Sequence, residues 1–160
     1  MCVIRFGGDE AEYLSLTVHG RSLPDSVDYW DGNWLTATAE VAVGAFRGSL
    51  NRLLRNEDIG RFHNRLAALH ERLTGEALFD TLESWFDLRI IGDGRGHMEA
   101  RGQRCDDPVH GNVLEFRLFF DQTALPRLMA QLRGVLAAFP VVSSPPSGEP
   151  AIAPDYGGST

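Results

Sequence analysis

The residue types best suited to chemistry begin with Asp93, Arg95 and His97, which stand within or beside a run of glycines. Such a cluster could form a metal-binding or phosphate-binding loop. It lacks the Asp/Asn series and closing Glu of a calcium loop, and it lacks the Lys and the strand–loop–helix setting of a phosphate loop. Glycines tolerate positive φ and favour tight turns. We therefore interpret residues 92–96 as a hairpin turn between two strands.

A second cluster comprises Asp106, Asp107 and His110, which could hold a divalent cation if His97 approached them. No His-x₃-His or Cys/His pair reinforces a metal site. Asp-Asp-Pro followed by Gly-Asn is typical of a connection between strands, and we favour that interpretation. An enzyme built on His97 or His110 requires the histidines and carboxylates to converge in one cleft, which is a condition that a structure can test.

Nucleophilic catalysis has little support. Ser49 lacks the second glycine of a nucleophile elbow, and Cys105 has no evident neighbour that would activate its thiol. His63 and His70 lie off the apolar stripe of a predicted helix, where exposure at the surface is the simpler interpretation. The sequence thus predicts a protein that is not an enzyme, with no catalytic residue, no metal ligand and no cofactor.

The most unusual segment is residues 28–35, which read Asp-Tyr-Trp-Asp-Gly-Asn-Trp-Leu. One interpretation is a tight turn before a strand, in which Trp34 docks on the core. The other is an aromatic and acidic patch on a loop, a composition that favours protein binding. Both hold if Trp34 points inward while Tyr29 or Trp30 points outward. The residues predicted to bind a partner are Asp28, Tyr29, Trp30 and Asp31.

The elements that must position these residues are mostly strands, because apolar and polar residues alternate along much of the chain. Leu14, Leu16 and Val18 share one face of the first such segment. Residues 45–50 continue the second segment beyond a bulge or bend at Gly44. The predicted strands cover residues 13–18, 34–43, 81–91, 97–104 and 113–120.

Two segments change to helical periodicity. The first begins at Asn56, interpreted as its N-cap, and stops at Gly75, while the second covers residues 123–138. Their apolar stripes superpose at one constant offset: Ile59, Phe62, Leu66 and Leu69 on Leu125, Leu128, Leu132 and Val135. This echo suggests two strand-strand-strand-helix halves, although amphipathic helices also resemble each other for physical reasons alone. We predict an α+β fold with a mostly antiparallel β-sheet of about six to seven strands and two amphipathic helices.

The chain organisation indicates one α+β domain over residues 1–141 and a disordered tail over residues 142–160, which is rich in Pro, Ser and Gly. The N-terminus has no signal-peptide core, and no stretch approaches the length of a membrane span. We expect a cytoplasmic protein with no membrane partner.

The charge balance restricts the partner. The formal net charge is −7 and no cluster of basic residues occurs, so direct nucleic-acid binding is disfavoured. An acidic balance favours association with a basic protein. The pattern predicts a protein partner, and it says nothing of the oligomeric state.

The order of these features resembles the WapI-like immunity proteins of bacterial polymorphic toxin systems. The resemblance covers roughly residues 22–140 and excludes the N-terminal strands and the tail. It rests on the segment 28–35 and, later in the chain, on Phe46-Arg47-Gly48-Ser49, Asn56-Glu57-Asp58 with Phe62, residues 73–77, the strand Leu82-Glu83-Ser84-Trp85, residues 92–97 and Phe120-Asp121-Gln122-Thr123.

The resemblance implies a small cytoplasmic protein that binds and blocks a cognate toxin, by analogy a nuclease that cleaves tRNA. It brings no catalytic residues with it. The alternative function is a small-molecule-binding or regulatory domain, which requires a largely apolar pocket between sheet and helices.

Overall fold

The computed structural model describes residues 1–7, 11–107 and 110–145. Every strand pairing in it is antiparallel, so the predicted α+β class is confirmed, with eight strands instead of six or seven. The elements are β1 (Cys2–Phe6), β2 (Tyr13–Arg21), β3 (Trp34–Val43), β4 (Phe46–Arg55), α1 (Asn56–Arg72), β5 (Thr74–Asp80), β6 (Phe86–Asp93), β7 (His97–Cys105), β8 (Val113–Asp121) and α2 (Ala124–Ala138).

The strands form two four-stranded meanders, β1-β2-β3-β4 and β5-β6-β7-β8, and each meander is followed by one helix. The suggested division into two halves is therefore present, with four strands in each half instead of three. Helix α1 packs against β5 and α2 packs against β1, and the two helices also pack against each other. Each helix thus covers the first strand of the opposite half.

The two halves share one apolar core. Phe62 of α1 lies between Phe6 of β1 and Phe79 of β5, with ring centres 6.0 Å and 4.7 Å away. The predicted helix stripes are buried along their whole length, and so are Leu14, Leu16 and Val18 of β2. Burial of these apolar faces holds the sheets and helices together, because it removes their surface from water.

Two strand predictions were wrong. Gly44 and Ala45 form the turn of a β3–β4 hairpin in which Val43 pairs with Phe46, so the chain reverses where a bend was expected. Gly44 has a φ of +54°, which favours such a turn. The segment 81–85 is a turn closed by Ser84 N donating to Thr81 O, and not a strand. Trp85 in this segment is buried, as an inward-facing residue of a strand would be, and its apolar side chain made the segment resemble a strand.

The ends of the first helix also differ from the prediction. The N-cap is Arg55, whose backbone N donates to the Asp58 carboxylate at 2.9 Å. Asn56 does not cap the helix because its side chain donates to Asn33 and Phe139 in the interior. At the other end Leu73 adopts the left-handed conformation and stops the helix before Gly75 is reached.

The predicted tail begins at Val142, whose backbone N donates to Asn33 Oδ1 at 2.8 Å. Residues 146–160 of that tail lie outside the described residues. Within the part of the chain that the structure describes, neither helix combines the length and the apolar run that crossing a bilayer requires.

Candidate partner-binding loop over Arg55

The loop between β2 and β3, residues 22–33, folds over one buried guanidinium. Arg55 pairs with Trp34 across the β3–β4 ladder and is only 2% exposed. Its guanidinium carbon lies 5.1 Å from the ring centre of Tyr29 and 5.5 Å from those of Trp30 and Trp34. Aromatic rings attract a cation at this range. We call these three rings with Arg55 and Glu57 the Arg55 cage.

Hydrogen bonds fix the orientation of the Arg55 guanidinium. Nη1 donates to the carbonyl oxygen of Trp30 at 3.0 Å, and Nη2 donates to that of Tyr29 at 3.1 Å. The Glu57 carboxylate accepts from Nε and Nη2 at 3.0 and 3.1 Å. A bidentate charged pair is stronger than neutral hydrogen bonds, so Arg55 ties the loop to the start of α1.

Asn33 forms a second, uncharged connection and is completely buried. Its Nδ2 donates to Tyr29 O at 2.7 Å and to Val142 O at 2.9 Å, and its Oδ1 accepts from Val142 N and Asn56 Nδ2. One side chain therefore joins the loop, α1 and the segment after α2. Buried amides are stabilising in such a place because their donors and acceptors are satisfied.

The tip of the loop is a turn closed by Asp28. Its Oδ1 accepts from the backbone N of Trp30 at 2.7 Å and of Asp31 at 3.1 Å. Gly32 packs so closely that a β-carbon there would lie 2.7 Å from Asp28 O and 2.8 Å from Ser26 O. The motif 28–35 thus includes a tight turn before β3, as the first of the two interpretations expected.

The inward orientation expected for Trp34 was wrong, and of the two rings expected to point outward Trp30 is the partly exposed one. Tyr29 is the inward ring, with 5% exposure, and Trp30 and Trp34 are half-buried. Trp34 lies on the face of β3 opposite the buried Leu35 and Ala37, because side chains alternate along a strand. Burial, followed by the neighbouring Glu57 carboxylate, raises the pKa of the Tyr29 phenol. That phenol remains protonated at neutral pH.

The outer surface of the loop is acidic and partly apolar. Asp28 and Asp31 are exposed, as is Asp25 earlier in the loop. Val27 is 82% exposed and Leu23 is also exposed, an unusual position for aliphatic side chains. The loop therefore presents three carboxylates and two aliphatic groups on a scaffold that the Arg55 cage holds in place.

Comparison with known proteins assigns the chain to a family. The family model described as the immunity protein WapI-like family matches residues 5–140. The chain belongs to this family. The match begins within β1, so it includes N-terminal strands that the resemblance was expected to omit. No curated protein matches the chain.

The histidines and carboxylates considered for catalysis are separated in this WapI-like family member. His97 Nδ1 contacts Asp93 Oδ2 at 2.8 Å beside the β6–β7 turn. Asp106 lies just beyond the far end of β7, about 30 Å away along the strand at ~3.3 Å per residue. Its carboxylate accepts from Asn112 N and Nδ2, which closes the β7–β8 connection, and Asp107 accepts from His110 N. His97 and Asp106 therefore lie at opposite ends of β7 and do not meet.

The same separation applies to metal binding. Among the described residues no group of three or more His, Cys, Asp or Glu side chains is placed to hold a metal ion. His63 and His70, expected at the surface, are half-buried, and His63 Nε2 is buried without a hydrogen-bond partner among the described atoms.

Three of the open concavities that the described residues form bear on the small-molecule alternative. One of about 510 Å³ lies on the outer face of the second sheet, and one of about 540 Å³ lies on the outer face of the first. A third, of about 430 Å³, lies between β4 and β8. None of the three is lined by a helix residue, so none is the pocket between sheet and helices that a small-molecule-binding domain requires.

Proposed function

We propose that the protein is an immunity protein that binds a cognate bacterial toxin in the cytoplasm and neutralises it. The observation that carries the proposal is the family match across residues 5–140. The acidic loop supports it, because the loop offers a preformed surface with the composition that protein partners use. Following the resemblance, the toxin is a basic domain, by analogy a nuclease that cleaves tRNA.

Charge complementarity favours such a partner. A nuclease holds its substrate with basic residues, so its binding face attracts a protein of net charge −7. The carboxylates of Asp25, Asp28 and Asp31 project from one loop and add a local negative field. Complementary charge mainly raises the association rate, and the effect decreases as salt is added.

The fixed conformation of the loop favours affinity. Arg55 and Asn33 hold its backbone before any partner arrives, so little conformational freedom remains to be lost on binding. In this proposal the exposed Asp28 and Asp31 and the partly exposed Trp30 contact the toxin. Tyr29 acts from beneath, by positioning Arg55 and the loop.

The test uses the toxin domain encoded beside this protein's gene. Co-expression with the wild-type protein should restore growth to cells that produce the toxin. The double substitution Asp25→Asn/Asp31→Asn should lower the association rate about tenfold at low salt and much less at high salt.

The control is Glu71→Gln/Glu83→Gln, which removes the same charge from exposed positions outside the loop. It should leave the association rate within about twofold of wild type. Equal effects of the two double variants would assign the charge effect to the whole protein and remove the loop from the proposal. A toxin that the wild-type protein neither binds nor silences would overturn the proposed function itself.

A further inference from the structure

The two sheets are covered at one pair of edges and open at the other. Helices α2 and α1 pack along the edge strands β1 and β5. The opposite edge strands, β4 and β8, have no neighbouring strand on their outer side among the described residues. An uncovered edge presents backbone N–H and C=O groups that can pair with another chain.

Half of the β4 edge is protected by the protein itself. Trp85 Nε1 donates to Leu53 O at 2.8 Å, and Arg52 donates to the carbonyl oxygen of Asp106. The other half, from Phe46 to Ser49, is exposed. The free part of the edge is therefore short and lies next to the β3–β4 hairpin.

A groove separates this free half of β4 from the start of β8, and we call it the edge groove. Its volume is about 430 Å³. Phe46 is 65% exposed and Val113 on the opposite strand is also exposed, although both side chains are apolar. The groove is also lined by Leu50, Leu114, Cys105 and Arg104. Apolar groups predominate in the lining, which also includes the polar residues Arg47 and Ser49 on the β4 side and Asp106 and Asn112 beside β8.

Arg104 is the buried charged group of the edge groove, whereas Arg47 and Asp106 in the same lining are exposed. It is only 6% exposed, and its Nη2 donates to the carbonyl oxygen of Ala39 at 2.8 Å. Its Nε has no hydrogen-bond partner, and no carboxylate among the described residues forms a salt bridge with it. Burial lowers the pKa of Arg104, and the Glu40 carboxylate only partly offsets this. A buried guanidinium without a salt bridge destabilises the free protein.

From this combination we infer that the edge groove binds an extended segment of the toxin that places a carboxylate side chain against Arg104. The segment pairs its backbone with the free half of β4 and packs alternate apolar side chains against Phe46 and Val113. Strand addition of this kind takes its affinity from main-chain hydrogen bonds and its specificity from alternate side chains. The inference rests on the proposed function, because it names the toxin as the source of the strand.

The edge groove and the acidic loop are separate surfaces. The loop precedes Trp34 at the start of β3, and the groove is lined by Val41 of the same strand, seven residues later. At ~3.3 Å per residue the two are about 23 Å apart. Substitutions in one therefore leave the other intact, and their effects on toxin binding can be separated.

The first experiment compares stability with toxin binding in Arg104→Met. Removal of an uncompensated buried charge should leave the melting temperature unchanged or raise it. Toxin affinity should decrease about 30-fold or more, as when one member of a buried charge pair is removed. Arg133→Met, an exposed arginine on α2, is the charge-matched control and should bind as wild type.

A second variant provides an independent test if Arg104→Met fails to fold. Phe46→Ser alters an exposed ring and should lower toxin affinity about tenfold with its melting temperature unchanged. Phe119→Ser, an equally exposed ring on the outer face of β8, should have no effect. Wild-type affinity in Arg104→Met or Phe46→Ser would overturn the edge groove while the proposed function stood.

The third experiment needs no toxin. Its probes are two seven-residue peptides of alternating Thr and Val, one with a central Glu and one with Gln. The Glu peptide should bind the wild-type protein at least about tenfold more tightly, and Arg104→Met should abolish the difference. Equal binding of the two peptides, or no binding of either, would overturn the inference. So would sedimentation that shows a wild-type dimer and a monomeric Phe46→Ser, because a second copy would then occupy the groove.

Discussion

Arg55 donates from Nη1 to the carbonyl oxygen of Trp30 at 3.0 Å, and its guanidinium carbon lies 5.5 Å from the centre of the Trp30 ring. One residue at the junction of β4 and α1 therefore holds both the backbone and the ring of a residue 25 positions earlier in the chain. The segment that suggests a binding patch in the sequence is held by this contact, and only its outer surface remains for a partner.

We expect Arg55→Lys to destabilise the protein by about 2–3 kcal/mol, because a lysine cannot reproduce the planar contacts with two carbonyls and one carboxylate. The free energy of unfolding from urea titration measures the loss. The exposed Arg47→Lys is the control and should change it by less than about 0.5 kcal/mol. An equal effect of the two substitutions would show that the Arg55 cage does not stabilise the fold.

Gly32→Ala should destabilise the protein by about 1–3 kcal/mol, since its β-carbon would press on two backbone oxygens of the loop. The displaced loop should also shift the tryptophan fluorescence and weaken toxin binding. Gly134→Ala on the exposed face of α2 meets no atom within 4 Å and should instead stabilise by roughly 0.5–1 kcal/mol. Stability unchanged by Gly32→Ala would refute the close packing of the loop tip.

Truncation tests the segment after α2. A chain that ends at Pro145 should keep the wild-type free energy of unfolding. A chain that ends at Pro140 should lose about 1–3 kcal/mol of its free energy of unfolding, because the Asn33 amide then loses its hydrogen bonds to Val142 O and from Val142 N. If both truncations are equally stable, Val142 does not contribute, and the boundary predicted at residue 141 describes the domain better than the hydrogen bonds do.

The pH dependence of the free energy of unfolding should reflect the ionisation of Asp58. Burial raises its pKa, and the backbone N of Arg55 and the guanidinium of Arg61 only partly oppose this. With a folded pKa above the unfolded one, the folded state binds more protons in the window between them, so stability decreases as pH rises through that window. Relative to Asp58→Asn, the wild type should therefore lose stability from about pH 4, the ordinary carboxyl value, upward. Urea titrations at several pH values measure the difference, and an increase with pH would contradict the assignment.

Local pattern was sufficient for much of the fold. The alternation in β2 and β3 and the stripes of both helices follow from which residues must leave water, and the structure buries those residues. The hairpin at Gly44 was missed because apolar and polar residues alternate in the same way before and after the turn. Trp85 was misassigned because its burial depends on Leu53 of another strand, a contact that local pattern does not contain.

The candidate binding site was harder to predict from the sequence. The Arg55 cage joins residues from the β2–β3 loop, β3 and the start of α1, so no window of sequence includes it. Arg104 did leave a signal, because it occupies the apolar phase of β7 after Met98, Ala100 and Gly102. A charged residue at a buried position of a strand contradicts the local sequence pattern, and positions of this kind are often functional.

The most direct test of the central claim is a calorimetric titration of the wild-type protein with the toxin domain encoded beside its gene, with the toxin's activity measured on the same samples. We expect a 1:1 complex with nanomolar or lower Kd and loss of toxin activity at equimolar protein. Absence of binding, or a complex in which the toxin keeps its full activity, would contradict the account.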